Sequence, residues 1–75
     1  MGEITLRAAR VNAGYQQHEA AKLFGVHYQT LAKWEADSSN MPASAIRKIE
    51  SIYKVPSDKI FFGLENEFIR TLRKI

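Results

Sequence analysis

Apolar residues recur at helical spacing on both sides of Gly25 and predict two short amphipathic helices there. The two stripes consist of Ala20, Ala21 and Phe24 before the glycine and of Val26, Leu31 and Trp34 after it. Helices of this length are not stable alone in water, so they must pack against each other. Glycine adopts a left-handed backbone conformation without a side-chain penalty, which lets the chain turn sharply between the two helices.

The small side chain of Ala21 favours a close crossing of these two helices. Where two helices meet at a steep angle, a bulky residue at the contact would push them apart. The spacing from Gln17 to Trp34, with a glycine between two short helices, is that of a helix-turn-helix. We expect the rest of the chain to be organised around residues 17–34.

Helical spacing and end signals predict further short helices along residues 1–63. The predicted helices span residues 6–13, 16 or 17–24, 28–35, 43–53 and 57–62, with a polar loop over residues 36–41. Thr5 and Ser57 are good helix caps, and Pro42 suits the start of a helix. Gln16 and His27 are poorer caps than Ser or Thr.

The sequence predicts an all-α fold, a compact bundle of about five short helices over residues 1–63, followed by an extension over residues 64–75. The extension carries an apolar stripe at helical spacing, formed by Leu64, Phe68, Leu72 and Ile75. Residues 68–73 could also form a strand. In either form the stripe is more apolar than a solvated tail requires, so we expect it to be buried against a second copy or another protein.

Composition argues against several classes of function. The 75 residues contain no cysteine, so no disulfide framework or thiolate metal site is expected. No apolar run is long enough to span a membrane and no signal-peptide pattern is present, so we expect a cytoplasmic protein with no membrane partner. His18 and His27 have no carboxylate at ligand spacing, and we expect them to be exposed polar residues rather than metal ligands. The sequence shows no nucleophile–base pair and no carboxylate dyad, so we expect neither an enzyme nor a cofactor.

The net charge of +3 is a weak indication of a nucleic-acid partner, and the charge is distributed unevenly along the chain. Residues 1–42 carry four basic and four acidic side chains, so the whole excess lies in residues 43–75. Because phosphate neutralisation supplies much of DNA affinity, the predicted helix-turn-helix half contributes little net charge to it.

A wider set of residues carries a family resemblance over roughly residues 6–61. The set is Arg10, Gly14-Tyr15-Gln16-Gln17, Ala21, Phe24-Gly25-Val26, Thr30-Leu31, Trp34-Glu35 and Pro42. In this spacing the chain resembles the Cro and phage-repressor (XRE-type) family of helix-turn-helix domains. The resemblance implies a lambda-repressor-like bundle, a two-fold homodimer on operator DNA and a role in transcription regulation, with many short members coming from phages or prophages. The chain departs from the family at Gln16 and His27, where Ser or Thr caps are usual, and in the loop over residues 36–41.

The third predicted helix fits the DNA major groove by width, and its first residues would reach base edges. Tyr28, Gln29 and Lys33 lie on its polar face and are the candidate base-reading residues. Gln29 can read adenine, Lys33 can donate to guanine or to a phosphate, and Tyr28 can contact a thymine methyl or a phosphate. The alternative is that the three residues are only the solvated face of a surface helix.

The resemblance also implies residues that position the protein on the DNA. Gln17 would contact a phosphate and brace the recognition helix, although it could instead cap its own helix. Arg10 and Glu35 would form a structural pair that locks two helices and directs Arg10 towards the DNA backbone. Further candidates for phosphate contact or positioning are Thr30, Ser38, Ser39 and Asn40, the last three of which could equally be ordinary turn residues.

Two functions from different classes therefore remain open. In the first, the chain is a sequence-specific DNA-binding regulator of the Cro or repressor type that acts as a homodimer. In the second, it keeps the helix-turn-helix fold but binds another regulator protein and modifies its action, because a fold does not determine a function. The balanced charge of residues 1–42 and the apolar extension keep the second function open.

Overall fold

A computed structural model describes residues 3–73 of the chain, and the side chains up to residue 72. The described residues contain five α-helices, which we label α1 (Leu6–Asn12), α2 (Gln17–Phe24), α3 (Tyr28–Ala36), α4 (Ala43–Tyr53) and α5 (Glu65–Arg73). Single turns of 3₁₀-helix span Ser38–Asn40 and Ser57–Lys59. The fold is a small all-α bundle, as the sequence predicts.

Local signals in the sequence define where the first two helices begin and end. The Thr5 hydroxyl accepts a hydrogen bond from the Ala8 N–H at 3.0 Å, which caps α1. The chain then turns through Gly14, whose φ of +85° suits glycine. Gln16 precedes α2, and its backbone N–H donates to Glu19 Oε1 at 2.8 Å, so the helix start is held by a glutamate rather than by a hydroxyl cap.

The predicted helix over residues 57–62 is wrong beyond its first turn. Only Ser57–Lys59 is helical, and Ile60 instead pairs with Ile4 in a parallel bridge. The Phe61 N–H donates to the Ile4 carbonyl at 2.8 Å, and the Ile4 N–H donates to the Lys59 carbonyl at 3.1 Å. These bonds to the start of the chain take the place of the hydrogen bonds that a longer helix would make within itself.

The loop after the third helix is also shorter than predicted. Helix α3 continues through Ala36, and residues 38–40 form a 3₁₀ turn rather than an irregular loop. Asp37 lies between the two and pairs with Leu64 in an antiparallel bridge. The residue before α5 is thereby joined to the end of α3.

The C-terminal extension is helical over Glu65–Arg73, so the strand alternative is wrong. The Phe68 ring packs on Phe61, with ring centroids 4.9 Å apart. Arg7 Nε lies 3.4 Å from Glu65 Oε2, which joins α5 to α1. The predicted stripe position Ile75 lies outside the described residues.

The core lies where the first four helices meet the segment around Ile60. Its buried apolar residues are Leu6, Ala9, Ala20, Ala21, Phe24, Leu31, Met41, Ala45, Ile49, Tyr53 and Ile60. Among residues 3–73, no helix is long and apolar enough to cross a membrane. The recognition helix predicted from the sequence, α3, packs on this core through Leu31 and stands at the surface on its other side.

Candidate nucleic-acid interface

The turn between α2 and α3 depends on the backbone of Gly25. Its φ is +75°, and its N–H donates to the Lys22 carbonyl at 3.1 Å while the Val26 N–H donates to the Ala21 carbonyl at 3.0 Å. A Cβ at this position would meet only Lys48 Nζ at 3.9 Å, so the requirement for glycine comes from the backbone angle and not from a lack of space.

One side of α3 is fixed against the bundle. Leu31 is fully buried, and Val26 and Trp34 are half-buried against the core. The Trp34 ring meets the Phe24 ring edge-to-face, with centroids 6.2 Å apart. Aromatic pairs of this geometry stabilise packing beyond the area they bury, so α2 and α3 are held as one unit.

A buried carboxylate fixes the other end of α3. The Glu35 residue is only 2% exposed, and its carboxylate receives a bidentate contact from Arg10, whose Nε lies 2.6 Å from Oε2 and whose Nη2 lies 3.3 Å from Oε1. Gln17 Nε2 donates to Glu35 Oε1 at 3.0 Å. Arg7 Nε lies 3.7 Å from Oε1 but is half exposed, so it contributes little. We call Glu35, Arg10 and Gln17 the Glu35 hub.

Arg10 is committed to this hub. Besides its two bonds to Glu35, its Nη1 donates to the Tyr15 carbonyl at 3.0 Å. Only a small part of the side chain reaches the surface. The structure therefore brings the predicted pair of Arg10 and Glu35 together, and three of the five guanidinium N–H groups of Arg10 donate within the chain.

The opposite side of α3 presents the three residues predicted to read bases. Tyr28, Gln29 and Lys33 are all exposed, and at 100° per residue they share one face of the helix with the half-buried Ala32. His27 precedes the helix, and its Nδ1 accepts the Gln29 N–H at 3.2 Å, so the first turn does have a side-chain cap. Thr30 is half-buried beside this face.

The loop residues predicted to contact phosphates are not equivalent. Ser38 is buried; its hydroxyl donates to the Phe61 carbonyl at 3.1 Å and accepts the Gly63 N–H at 3.1 Å. The prediction of a phosphate contact for Ser38 is therefore incompatible with its structural role. Ser39 is exposed, and its hydroxyl donates to Asp37 Oδ1 at 2.6 Å. The hydroxyl and N–H of Ser39 lower the pKa of Asp37. Asn40 is exposed.

The order and spacing of these helices are those of a known protein family. A family model described as Helix-turn-helix matches residues 6–68 of the chain. The chain belongs to the Cro/repressor-type (XRE-type) helix-turn-helix family. It is a DNA-binding helix-turn-helix regulator. No curated protein matches the chain. Within this domain, α3 is the second helix of the helix-turn-helix, which the family resemblance predicts to be the recognition helix.

A cluster of three aromatic rings, which the sequence does not predict, lies at the start of α3. His18 and His27 are exposed, as predicted, but both also pack against Tyr28, with ring centroids 4.3 and 4.6 Å from the Tyr28 ring. No spacing in the sequence signals the contact between His18 and Tyr28, because the turn at Gly25 creates it.

The sequence also gives no signal for a contact between Lys48 and the end of α2. The Lys48 Nζ donates to the Phe24 carbonyl at 3.3 Å. A lysine at the C-terminal end of a helix is favourable because it binds carbonyls that have no partner within the helix. Lys48 comes from α4, so the bond could not have been found from the local sequence of α2.

Proposed function

We propose that this helix-turn-helix regulator is a sequence-specific DNA-binding protein of the Cro or repressor type, which reads the major groove of its operator with α3. One observation carries the proposal. Tyr28, Gln29 and Lys33 are exposed on one face of α3, while Leu31 and Glu35 on the same helix are fixed inside the bundle. A reading helix must be held rigidly if its side chains are to tell one base pair from another.

Each exposed side chain matches a feature of the groove. The Gln29 amide can form two hydrogen bonds with adenine, and Lys33 can donate to guanine O6 or N7. Tyr28 offers a ring to a thymine methyl and a hydroxyl to a phosphate. All three stand in the first two turns of α3, the part of a recognition helix that reaches base edges.

Gln17 has the chemistry for both parts of its expected role. A primary amide carries two N–H donors, and Gln17 donates one of them to Glu35. The second donor can reach a phosphate from the start of α2, where backbone N–H groups also favour an anion. We include Thr30, Ser39 and Asn40 among the candidate phosphate or positioning residues and leave out Ser38 because it is buried.

The proposed regulator acts as a homodimer. Two copies would place their α3 helices in successive major grooves about 34 Å apart. The apolar side chains of Leu64, Ile69 and Leu72 are 46%, 39% and 55% exposed, which supports an interface that includes α5. Sedimentation of the wild type against a variant with serine at these three positions tests this point; equal masses at all concentrations would contradict it.

The decisive experiment compares DNA binding of the wild type with that of the double variant Gln29→Ala/Lys33→Ala over a range of salt concentrations. We expect the wild type to select one sequence, and the double variant to lose about 1–3 kcal/mol for each base contact removed. Asn12→Ala/Arg47→Ala is a matched control, because it removes an exposed amide and an exposed cation that lie outside both α3 and α5. Equal losses in the two double variants would contradict the proposal.

A second function stays open because the same exposed residues, Leu64, Ile69 and Leu72, could bind another regulator. In that case the protein would be a modulator that keeps the helix-turn-helix fold. The balanced charge of residues 1–42 also favours this alternative, because it limits the electrostatic part of DNA affinity. Two results together would support this alternative. DNA binding would depend neither on the DNA sequence nor on the Gln29 and Lys33 substitutions. The protein would also form a stable complex with a second regulator, and the variant with serine at Leu64, Ile69 and Leu72 would lose that complex.

A further inference from the structure

The three-ring cluster joins α2 to the reading face of α3. His18 lies on α2, His27 precedes α3, and Tyr28 is the first residue of α3. The His18 and Tyr28 rings are inclined at 36° with their centroids 4.3 Å apart, and the His27 and Tyr28 rings at 34° with 4.6 Å between centroids. His27 is a chain neighbour of Tyr28, whereas His18 reaches the ring only through the fold.

Tyr28 lies at the surface of the bundle beside the two histidines. The residue is 36% exposed and is not part of the apolar core. It lines a concave site of about 350 Å³ together with both histidines, Ala21, Lys22 and Val26. An exposed tyrosine in such a site would sample several rotamers, and a ring packed against it removes part of this freedom before DNA is bound.

The two histidines are not equivalent as supports. The Nδ1 atom of His27 accepts the Gln29 N–H, so substitution of His27 would also disturb the start of α3. No cap or hub bond involves the His18 side chain among the contacts of residues 3–73. A change at His18 therefore tests the ring contact without removing a helix cap.

We propose that His18 is a positioning residue, which holds the Tyr28 ring against its imidazole so that Tyr28 discriminates one base pair of the operator. A residue outside the recognition helix thus determines part of the sequence preference. The inference rests on the proposed function, and it deepens that function by naming the residue that orients a base contact. The ring face of His18, and not its charge, carries the effect.

The first test needs no DNA. Ring protons that lie against a neighbouring aromatic ring have shifted NMR resonances, so His18→Ala should move the Tyr28 ring resonances and His18→Phe should keep them displaced. Leu23→Ala is the control, because Leu23 is exposed on the same helix and does not line the concave site. Tyr28 resonances that are unchanged in His18→Ala would overturn the positioning role itself.

The second test is selection of binding sites from randomised DNA. Loss of one aromatic contact should weaken binding to the preferred site by about 2- to 10-fold. We expect His18→Ala and Tyr28→Ala to relax the preference at the same base pair, and His18→Phe and Leu23→Ala to retain it. Thermal unfolding of all four variants shows whether each is folded at the temperature of the selection.

Different results would overturn the role of His18 and the proposed sequence-specific DNA binding. A uniform loss of affinity in His18→Ala, with an unchanged preference, would overturn the inference because it indicates a direct phosphate contact or a structural role. Failure of His18→Phe to restore the preference would overturn it as well. A wild-type protein that selects no sequence would overturn the proposed function, and with it the specificity role, whatever the NMR resonances show.

Discussion

Two neighbouring helices of this bundle, α3 and α5, show how differently similar apolar stripes can be used. Helix α3 has both its apolar side and its one buried charge matched within the chain, by Phe24 and by the Glu35 hub. Helix α5 is held by Phe61 and Arg7, while Leu64, Ile69 and Leu72 remain exposed. Amphipathic spacing therefore predicts that a helix has an apolar face, but it does not predict what covers that face.

The largest expected effect comes from breaking the Glu35 hub. Arg10→Ala leaves a carboxylate buried without its bidentate partner, which should lower the free energy of unfolding by about 3–5 kcal/mol and weaken DNA binding. Urea unfolding measures the loss. A second variant, Arg10→Met/Glu35→Leu, removes both charges, and because the pair costs desolvation energy we expect it to regain most of the stability. Unchanged unfolding and unchanged binding in Arg10→Ala would contradict the assigned role.

The second effect compares two apolar residues within α5. Phe68 packs on Phe61 and is half-buried, so Phe68→Ala should cost about 1–2 kcal/mol. Leu72 is 55% exposed, so Leu72→Ala should change the stability of a monomer by less than about 0.5 kcal/mol. Thermal unfolding at several protein concentrations measures both. A larger loss for Leu72→Ala that grows with concentration would show instead that a second copy covers this face.

The same contrast explains which elements the sequence predicts correctly. The cap at Thr5, the turn at Gly25 and the bounds of α4 follow from local signals, and the structure confirms them. The helix predicted over residues 57–62 fails because Lys59 and Phe61 hydrogen-bond to Ile4, nearly sixty residues away in the chain. Local spacing carries no information about such a partner.

In the candidate site, too, local sequence predicts some features, while others depend on residues that are distant in the chain. The exposure of Gln29 and Lys33 follows from helical periodicity, since residues opposite the apolar stripe face outwards. The burial of Ser38 does not, because it depends on Phe61 and Gly63, which the fold brings to it. The family resemblance leads to Arg10 and Glu35, but it gives no signal for the ring of His18 against Tyr28.

A third effect lies in the well-packed part of the bundle, where the buried Tyr53 hydroxyl has no hydrogen-bond partner among residues 3–73. Tyr53→Phe removes an unsatisfied polar atom, so we expect the free energy of unfolding to stay equal or to rise by up to about 1 kcal/mol. Urea unfolding at neutral pH measures this change. A clear loss of stability would indicate that the hydroxyl has a partner in solution.

Ionisation of the Tyr53 hydroxyl should also make the stability of the fold depend on pH in the alkaline range. Burial, and to a smaller extent the negative charge of Glu35, raises the pKa of Tyr53. The unfolded chain therefore releases this proton near the ordinary value of about 10, while the folded chain keeps it. Unfolded molecules then bind fewer protons, so wild-type stability should fall as pH rises above about 10. Tyr53→Phe should show a weaker fall, and parallel pH profiles of the two proteins would contradict the assignment.

The smallest effect lies at the junction between α3 and α5, where Asp37 pairs with Leu64. The Ser39 hydroxyl and N–H both donate to Asp37 Oδ1 and lower the pKa of its carboxyl group. The stability that these bonds provide is present above the unfolded pKa and is lost as pH falls through the folded one. Ser39→Ala should raise the pKa of Asp37 towards its ordinary value, and so reduce stability at neutral pH but not in strong acid.

An NMR titration of the Asp37 carboxyl group measures the change in its pKa directly. Asn40→Ala is the control, because Asn40 is exposed in the same turn. This variant should leave the pKa of Asp37 unchanged. The bonds between Ser39 and Asp37 are exposed, so they can be weakened without unfolding either helix. If Ser39→Ala also alters the resonances of Leu64, the loop transmits a change at the end of α3 to the start of α5. If the resonances of Leu64 stay in place, the Ser38 bonds to Phe61 and Gly63 hold the junction without help from Asp37.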